Sequence, residues 1–185
     1  GNSMPTTFHD LTQPLDRLAT DKQDLRLEDK NYSYVLLTAA HNEEANVERT
    51  IQCVLGQSLA PRKWIIVSDN SSDRTDEIVR SYAARYDFIH FVRITRPPGR
   101  SFASKIVALR AGEKSLNGIP FSYLGNLDAD VSVDPSYFHE LIRRFESNPK
   151  LGLAGGFVYE DVDGQFQSRK TNSVHSIAHA AQLVR

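Results

Sequence analysis

The chain of 185 residues has one cysteine, one methionine and one tryptophan, and no excess of either charge: 22 Lys and Arg stand against 23 Asp and Glu. A lone Cys53 cannot form an internal disulfide. Its place in an amphipathic helical pattern reads as a buried, inert thiol, and such cysteine usage fits a cytoplasmic location. A formal net charge of -1 excludes a nucleic-acid binder that works through bulk charge, because neutralising phosphates needs a basic face. No apolar run approaches the ~20 residues that cross a bilayer, and no basic-then-apolar signal pattern opens the chain, so no transmembrane segment is expected in it. GxxxxGK[ST] is also missing, and Gly155-Gly156 do not complete a GxGxxG after a first strand, which removes the P-loop and dinucleotide readings. What is present, 40% hydrophobic and 24% charged residues, suits a globular domain with an adequate core.

Gly1-Asn2-Ser3 ahead of Met4 read as a tag remnant, and the polar stretch up to residue 30 as a loosely structured N-terminal arm. From 31 to 185, apolar runs alternate with helical patterns. That is the signature of α/β organisation with a mainly parallel central sheet and helices on both faces. Strands are expected at 34–38, 64–67, 88–94 and 151–159, with another starting at Tyr123 and ending in Asp128-Ala129-Asp130. Helices are expected around Val47, Ile51, Val54 and Leu55, around Ile78, Val79 and Tyr82, over 101–114, and after Pro135 through Phe138, Leu141, Ile142 and Phe145.

Chemistry concentrates where these strands end. If a regular strand continued through Asp128-Ala129-Asp130, both carboxylates would point the same way. Converging carboxylates repel, and a divalent cation held by oxygen ligands offsets the repulsion. Asn42, Glu43 and Glu44 follow the first strand and Asp69 ends the second, and parallel strands deliver their carboxyl ends to one edge, where open α/β sheets bind ligands. Each acid alone has a plainer reading, as a turn or helix-capping group. Together, Asp130 with Asp128 nearby could hold Mg2+ or Mn2+ and leave positions open to a diphosphate. Arg100 and Lys105 are candidates for phosphate charge, or else solvated surface cations. Glu160, Asp161 and Asp163 read as a turn before Gly164. His175 and His179, one helical turn apart but without an HExxH frame, read as a helix face.

The ordered motifs resemble those of the inverting family-2 glycosyltransferases with the GT-A fold. Residues 39–44, Ala-Ala-His-Asn-Glu-Glu, are similar to "P-x-Y-N-E-E", and residues 66–75 to "V-V-D-D-G-S-T-D-x-T". Residues 105–112 are similar to "K-A-x-A-L-N-A-G", and 127–130 to "L-D-A-D". The resemblance implies a Rossmann-like GT-A sandwich that binds a nucleotide-sugar donor, usually a UDP-sugar, with Mn2+ or Mg2+, for transfer to an acceptor hydroxyl with inversion. It implies nucleotide contacts from Ala39, Ala40, Asn42, Glu44, Asp69, Arg100, Lys105, Asp128 and Ala129, and metal ligation by Asp130 and Asp128. His41, Ala39, Ser68 and Arg110 depart from the motifs. The family continues into an acceptor-binding half, so the general base is expected beyond Arg185. Action at the cytoplasmic face of a membrane, on saccharide, lipid-linked or protein acceptors, also follows by analogy. Two rivals remain at this stage: a non-catalytic nucleotide-sugar-binding module, and a sugar nucleotidyltransferase, against which stands the absence of glycine from 39–44.

Overall fold

The computed structural model describes residues 32–95, 102–155, 159–162, 165–168 and 181–184, with backbone alone for 102–105 and for the strands between 153 and 168. The arm up to residue 31, Arg100, Gly156, Asp163, His175 and His179 lie outside these residues.

The elements in chain order are β1 (Tyr34–Ala40), α1 (Val47–Leu55), β2 (Lys63–Asp69), α2 (Thr75–Ala83), β3 (Ile89–Ile94) and α3 (Phe102–Lys114). There follow β4 (Tyr123–Leu127), α4 (Tyr137–Ser147), β5 (Leu153–Gly155), β6 (Tyr159–Val162), β7 (Gln165–Ser168) and β8 (Ala181–Val184). Six strands form one sheet in the order β3-β2-β1-β4-β8-β5, and β6 pairs with β7 in a separate hairpin. β1 runs parallel to β2 and β4, and β2 parallel to β3. β8 is antiparallel to both of its neighbours.

The apolar runs form strands because both sheet faces are covered. Val35, Leu37, Ile65 and Val67 share a cluster with Ala108 of α3 and Leu116. Tyr34, one residue out of phase, stacks on Phe138 of α4 at 5.1 Å between ring centres. Because successive strand side chains face opposite ways, α3 lies on one face and α4 on the other. Trp64, Ile65, Ile66 and Val67 are therefore all fully buried, as in a doubly covered parallel strand. Each such side chain contributes about 1.5–3 kcal/mol of hydrophobic stabilisation. The one polar atom that Trp64 carries inward is satisfied, its Nε1–H donating to Thr38 Oγ1 at 2.9 Å. α1 buries Val47, Thr50, Ile51 and Val54, and α4 buries Tyr137, Phe138, Leu141, Ile142 and Phe145, both at the spacing of a single helical stripe.

The second half of the chain departs from the sequence expectation. The expected strand at 151–159 is two elements: β5 covers only Leu153–Gly155, and Tyr159 opens β6. Glu160 and Asp161, read as turn residues, are strand residues opposite Gln167 and Phe166. Sequence patterning predicts no strand over 181–184, yet β8 fills the gap between β4 and β5. Ala, Gln and Leu favour helix over strand, and here pairing on two sides overrides that preference.

Gly125 of β4 shows how tightly the gap is filled. Its registered neighbours are Leu36 of β1 and Leu183 of β8. A Cβ added there would stand 2.3 Å from Leu36 Cδ2, 3.0 Å from Leu183 Cδ2 and 3.3 Å from the Gln182 carbonyl oxygen. Gly125→Ala is expected to destabilise the protein by about 1–3 kcal/mol through overpacking, measured by urea denaturation. An unchanged midpoint would show that both leucines move aside freely.

Candidate functional site

Register decides which side chains meet. β1 sets Ala40 opposite Ser68 and Leu37 opposite Asn126, so β1, β2 and β4 deliver Ala40, Asp69 and Asp128 to the same edge of the sheet. Ala40 is buried, and Ala39 is half-buried against the cluster on the α3 side. Asp69 is itself a buried acid, 7% exposed.

The loops after β1 and β2 are fastened to each other. The His41 Nδ1–H donates to the Asp69 carbonyl oxygen at 2.6 Å. A carbonyl can only accept, which fixes the proton on Nδ1 and leaves Nε2 facing the Asn42 amide at 3.5 Å. The Asn42 N–H donates to Ser71 Oγ at 3.1 Å, and Asn42 Oδ1 accepts the Ser72 N–H at 2.8 Å. The Glu43 N–H donates to Thr75 Oγ1 at 2.8 Å and the Glu44 N–H to Asp73 Oδ2 at 3.0 Å. Glu44 Oε2 accepts the Arg74 N–H at 3.0 Å in return. The side chains of Asn42 and Glu44 thus hold one loop against the other.

Both loops turn through left-handed asparagines, Asn42 and Asn70, each at φ 54°. Asparagine tolerates that region better than most residues, which accounts for Asn70 where the motif has glycine. Ser68, in place of the motif's first aspartate, is fully buried. Its hydroxyl donates to Asp76 Oδ1 at 2.5 Å and lies 3.0 Å from Ser71 Oγ. Arg93 forms an ion pair with Asp76 and also donates to the Ser71 carbonyl at 3.2 Å. A carboxylate is therefore still present at the end of β2, supplied by α2 and neutralised by β3. Arg110 is exposed on α3.

The Asp128-Ala129-Asp130 segment corrects the expectation of a continuing strand. β4 stops at Leu127 and the chain turns, with Asp128 half-buried, Ala129 buried and Asp130 exposed. The physical reason is Thr50 on α1, whose Oγ1 lies 2.9 Å from the carbonyl oxygens of both Ala129 and Val131. Gln57, just past α1, extends the hold: its Nε2 donates to the Asp134 carbonyl at 2.7 Å and its Oε1 accepts the Phe138 N–H at 3.3 Å. Sequence reasoning missed Thr50 and Gln57. The available signal was a hydroxyl on the otherwise apolar stripe of α1, where a buried polar group must have a partner.

Electrostatics links this turn to the first loop. Burial pushes the Glu43 carboxyl above its ordinary 4.5; a hydrogen bond from Asn46 opposes this, and repulsion from Asp130, Asp73 and Asp128 adds to it. Asp73 feels burial too, but hydrogen bonds from the Thr75 hydroxyl, the Thr75 N–H and the Glu44 N–H draw it below its usual value. Residues from three strand ends therefore share one negative region. Among the described residues no group of three or more His, Cys, Asp or Glu gathers as a ligand set. A two-carboxylate set suits Mg2+ or Mn2+, which are commonly held by one or two carboxylates, with water and phosphate oxygens completing the octahedron.

Arg100 is outside the described residues, and Lys105 is placed only as a backbone position on α3. Cys53 is half-buried on α1. A shallow depression of about 530 Å³, lined by Arg80, Ala83, Asp87, Ile89, His90 and Phe91, opens where β3 begins, at the opposite, amino edge.

Comparison with known proteins agrees with this geometry. Residues 36–183 match the profile of the family described as Glycosyl transferase family 2. The chain is 34% identical over 120 residues to the poly-beta-1,6-N-acetyl-D-glucosamine synthase of Staphylococcus epidermidis, an alignment covering 65% of this chain and 27% of that protein. It spans less than a third of the length of the curated relatives it matches, 27% and 30% in two of them. Among solved structures it resembles the mannosyltransferase PcManGT of Pyrobaculum calidifontis, in complex with GDP-Man and Mn2+, with 16% identity, a TM-score of 0.52, and coverage of 75% of this chain and 42% of that one. It also resembles glucosyl-3-phosphoglycerate synthase of Mycobacterium tuberculosis in complex with Mn2+, UDP and glucosyl-3-phosphoglycerate: 16% identity, TM-score 0.50, coverage 80% and 50%. These two structures share the fold, and the expected Rossmann-like GT-A architecture is met.

The raised Glu43 value has a measurable consequence. The fold favours the protonated carboxyl, so its contribution is fully present below the ordinary glutamate range and is lost as pH rises through the raised value. Glu43→Gln keeps an acceptor for Asn46 and removes the charge. Thermal melts are expected to show this variant more stable than the wild type near neutral pH, with the difference fading as pH falls through the raised value and gone below 4.5. A gap that stays constant with pH would refute the assignment.

Proposed function

The chain belongs to glycosyl transferase family 2, and from that premise we propose that its carboxyl edge binds the nucleotide diphosphate of a UDP-sugar together with Mn2+ or Mg2+, in a protein that transfers the sugar to an acceptor hydroxyl. The carrying observation is the shared negative region of Glu43, Asp73, Asp128 and Asp130, built from three parallel strand ends. Mutually repelling carboxylates at a ligand-binding edge are what a cation and a diphosphate would relieve.

Asp69 accepts a hydrogen bond from the base, and the loop from Ala39 and Ala40 through Asn42 to Glu44 lies along the nucleoside, kept rigid by its bonds to residues 71–75. Asp128 takes the ribose side, with Ala129 between the two acids, and Asp130 holds the metal. When bound, the ion offsets charge developing on the departing diphosphate. Transfer is a single displacement: the acceptor oxygen bonds to the anomeric carbon, the bond from that carbon to the diphosphate oxygen breaks, and the hydroxyl proton passes to a base. Configuration inverts. We place that base outside this chain, in the further length that the curated relatives carry. Support for the metal and the nucleotide comes from the two solved neighbours, one bound to GDP-Man and Mn2+ and the other to UDP and Mn2+.

Calorimetry with UDP, with and without Mn2+, tests the reading. The wild type is expected to bind UDP more tightly with Mn2+, and Asp130→Ala to weaken that binding about tenfold or more, as expected for loss of a charged contact. UDP affinity indifferent to Mn2+ in the wild type would sink it.

A further inference from the structure

The clamp on the Asp128-Ala129-Asp130 turn carries an inference about one residue that touches neither nucleotide nor metal. Thr50 occupies a core position of α1, in one stripe with Val47, Ile51 and Val54, and is 1% exposed. Its hydroxyl proton is shared between two carbonyl oxygens at equal distance, 2.9 Å to Ala129 and 2.9 Å to Val131. These carbonyls stand immediately before and after Asp130, whose own side chain is exposed. The backbone is therefore pinned on each side of the residue that must present a carboxylate.

We infer that Thr50 is a positioning residue for the metal-dependent part of donor binding, holding the turn so that the Asp130 carboxylate is already aimed before any ligand arrives. The inference rests on the donor-site reading above and deepens it. Holding a ligating group in place beforehand removes the ordering loss that binding would otherwise incur. The same helix opens directly after the nucleoside loop, with the N–H groups of Asn46 and Val47 both donating to the Glu43 carbonyl, at 3.0 and 2.8 Å. α1 thus connects the loop after β1 to the turn after β4, and Thr50 is the point of attachment. A hydroxyl is needed there because a methyl in its place would leave two carbonyls without their buried donor.

The test compares Thr50→Val, which keeps the shape and removes the hydroxyl, with Thr50→Ser, which keeps the hydroxyl. UDP affinity is measured by calorimetry with and without Mn2+, and melting temperature is recorded alongside. Thr50→Val is expected to lose about tenfold in UDP affinity with Mn2+, the scale seen for groups that orient a metal ligand without touching the metal, and to keep the wild-type affinity without Mn2+. Thr50→Ser is expected to restore the metal-dependent gain. A Thr50→Val protein that melts lower but keeps the full Mn2+-dependent gain would overturn the inference, since the hydroxyl would then serve stability alone. Equal losses with and without Mn2+ would overturn it as well. Should Thr50→Val fail to fold, Thr50→Ala carries the same comparison without the second branch at Cβ. Failure of the donor-site reading is distinguishable: the wild type itself would then show no Mn2+-dependent UDP binding.

Discussion

The parallel pairing of β1 with β2 on one side and β4 on the other is the constraint from which the rest follows. β1 is covered on both faces, Val35 and Leu37 by the α3 side and Tyr34 by Phe138 of α4. A slip of one residue would exchange those faces along the whole strand, so the register is strongly fixed. With the register fixed, Ala40, Asp69 and Asp128 emerge together whether or not their charges favour it. The acids do not attract one another into place. The core imposes their proximity, and their repulsion adds to the burial that raises the Glu43 carboxyl.

Two sets of hydrogen bonds make that arrangement tolerable. One runs between the loops after β1 and β2, where backbone N–H groups of Asn42, Glu43 and Glu44 find hydroxyl or carboxylate oxygens of Ser71, Thr75 and Asp73. The other runs from Thr50 and Gln57 to the segment after β4. Each bond is worth about 0.5–1.5 kcal/mol net, more where a carboxylate accepts, so together they can outweigh repulsion among partly solvated acids. Much of the polar sequence at these strand ends is occupied with loop-to-loop bonding. Asn42 and Glu44, which motif resemblance assigns to the nucleotide, have contacts of this structural kind.

The first half of the fold was legible in the sequence because its signals are local. Strands, helices and the polar turns between them fall where the periodicities place them from β1 to α4, save that β4 stops at Leu127. The convergence of Asp69 and Asp128 on one edge followed from parallel topology alone. What the pattern could not show was non-local. β8 is four residues of mixed preference whose strand state exists only through β4 and β5. The turn after Asp128 is held at the Ala129 carbonyl by a hydroxyl 79 positions earlier in the chain, at Thr50. The two-element nature of the 151–159 stretch likewise depends on Tyr159 pairing with Ser168.

The insertion of β8 between β4 and β5 also orders events during synthesis. β1 to β4 can assemble by right-handed βαβ steps as they leave the ribosome, each strand joining a neighbour already made. β4 must then wait, its outer row of amides and carbonyls unpaired, while more than fifty residues emerge before Ala181–Val184 can slot beside it. β5, which among the described residues pairs in the sheet with β8 alone, waits with it. Through that interval the nascent chain carries an open sheet edge next to the acidic turn, and the exposed flank is vulnerable to pairing with another chain.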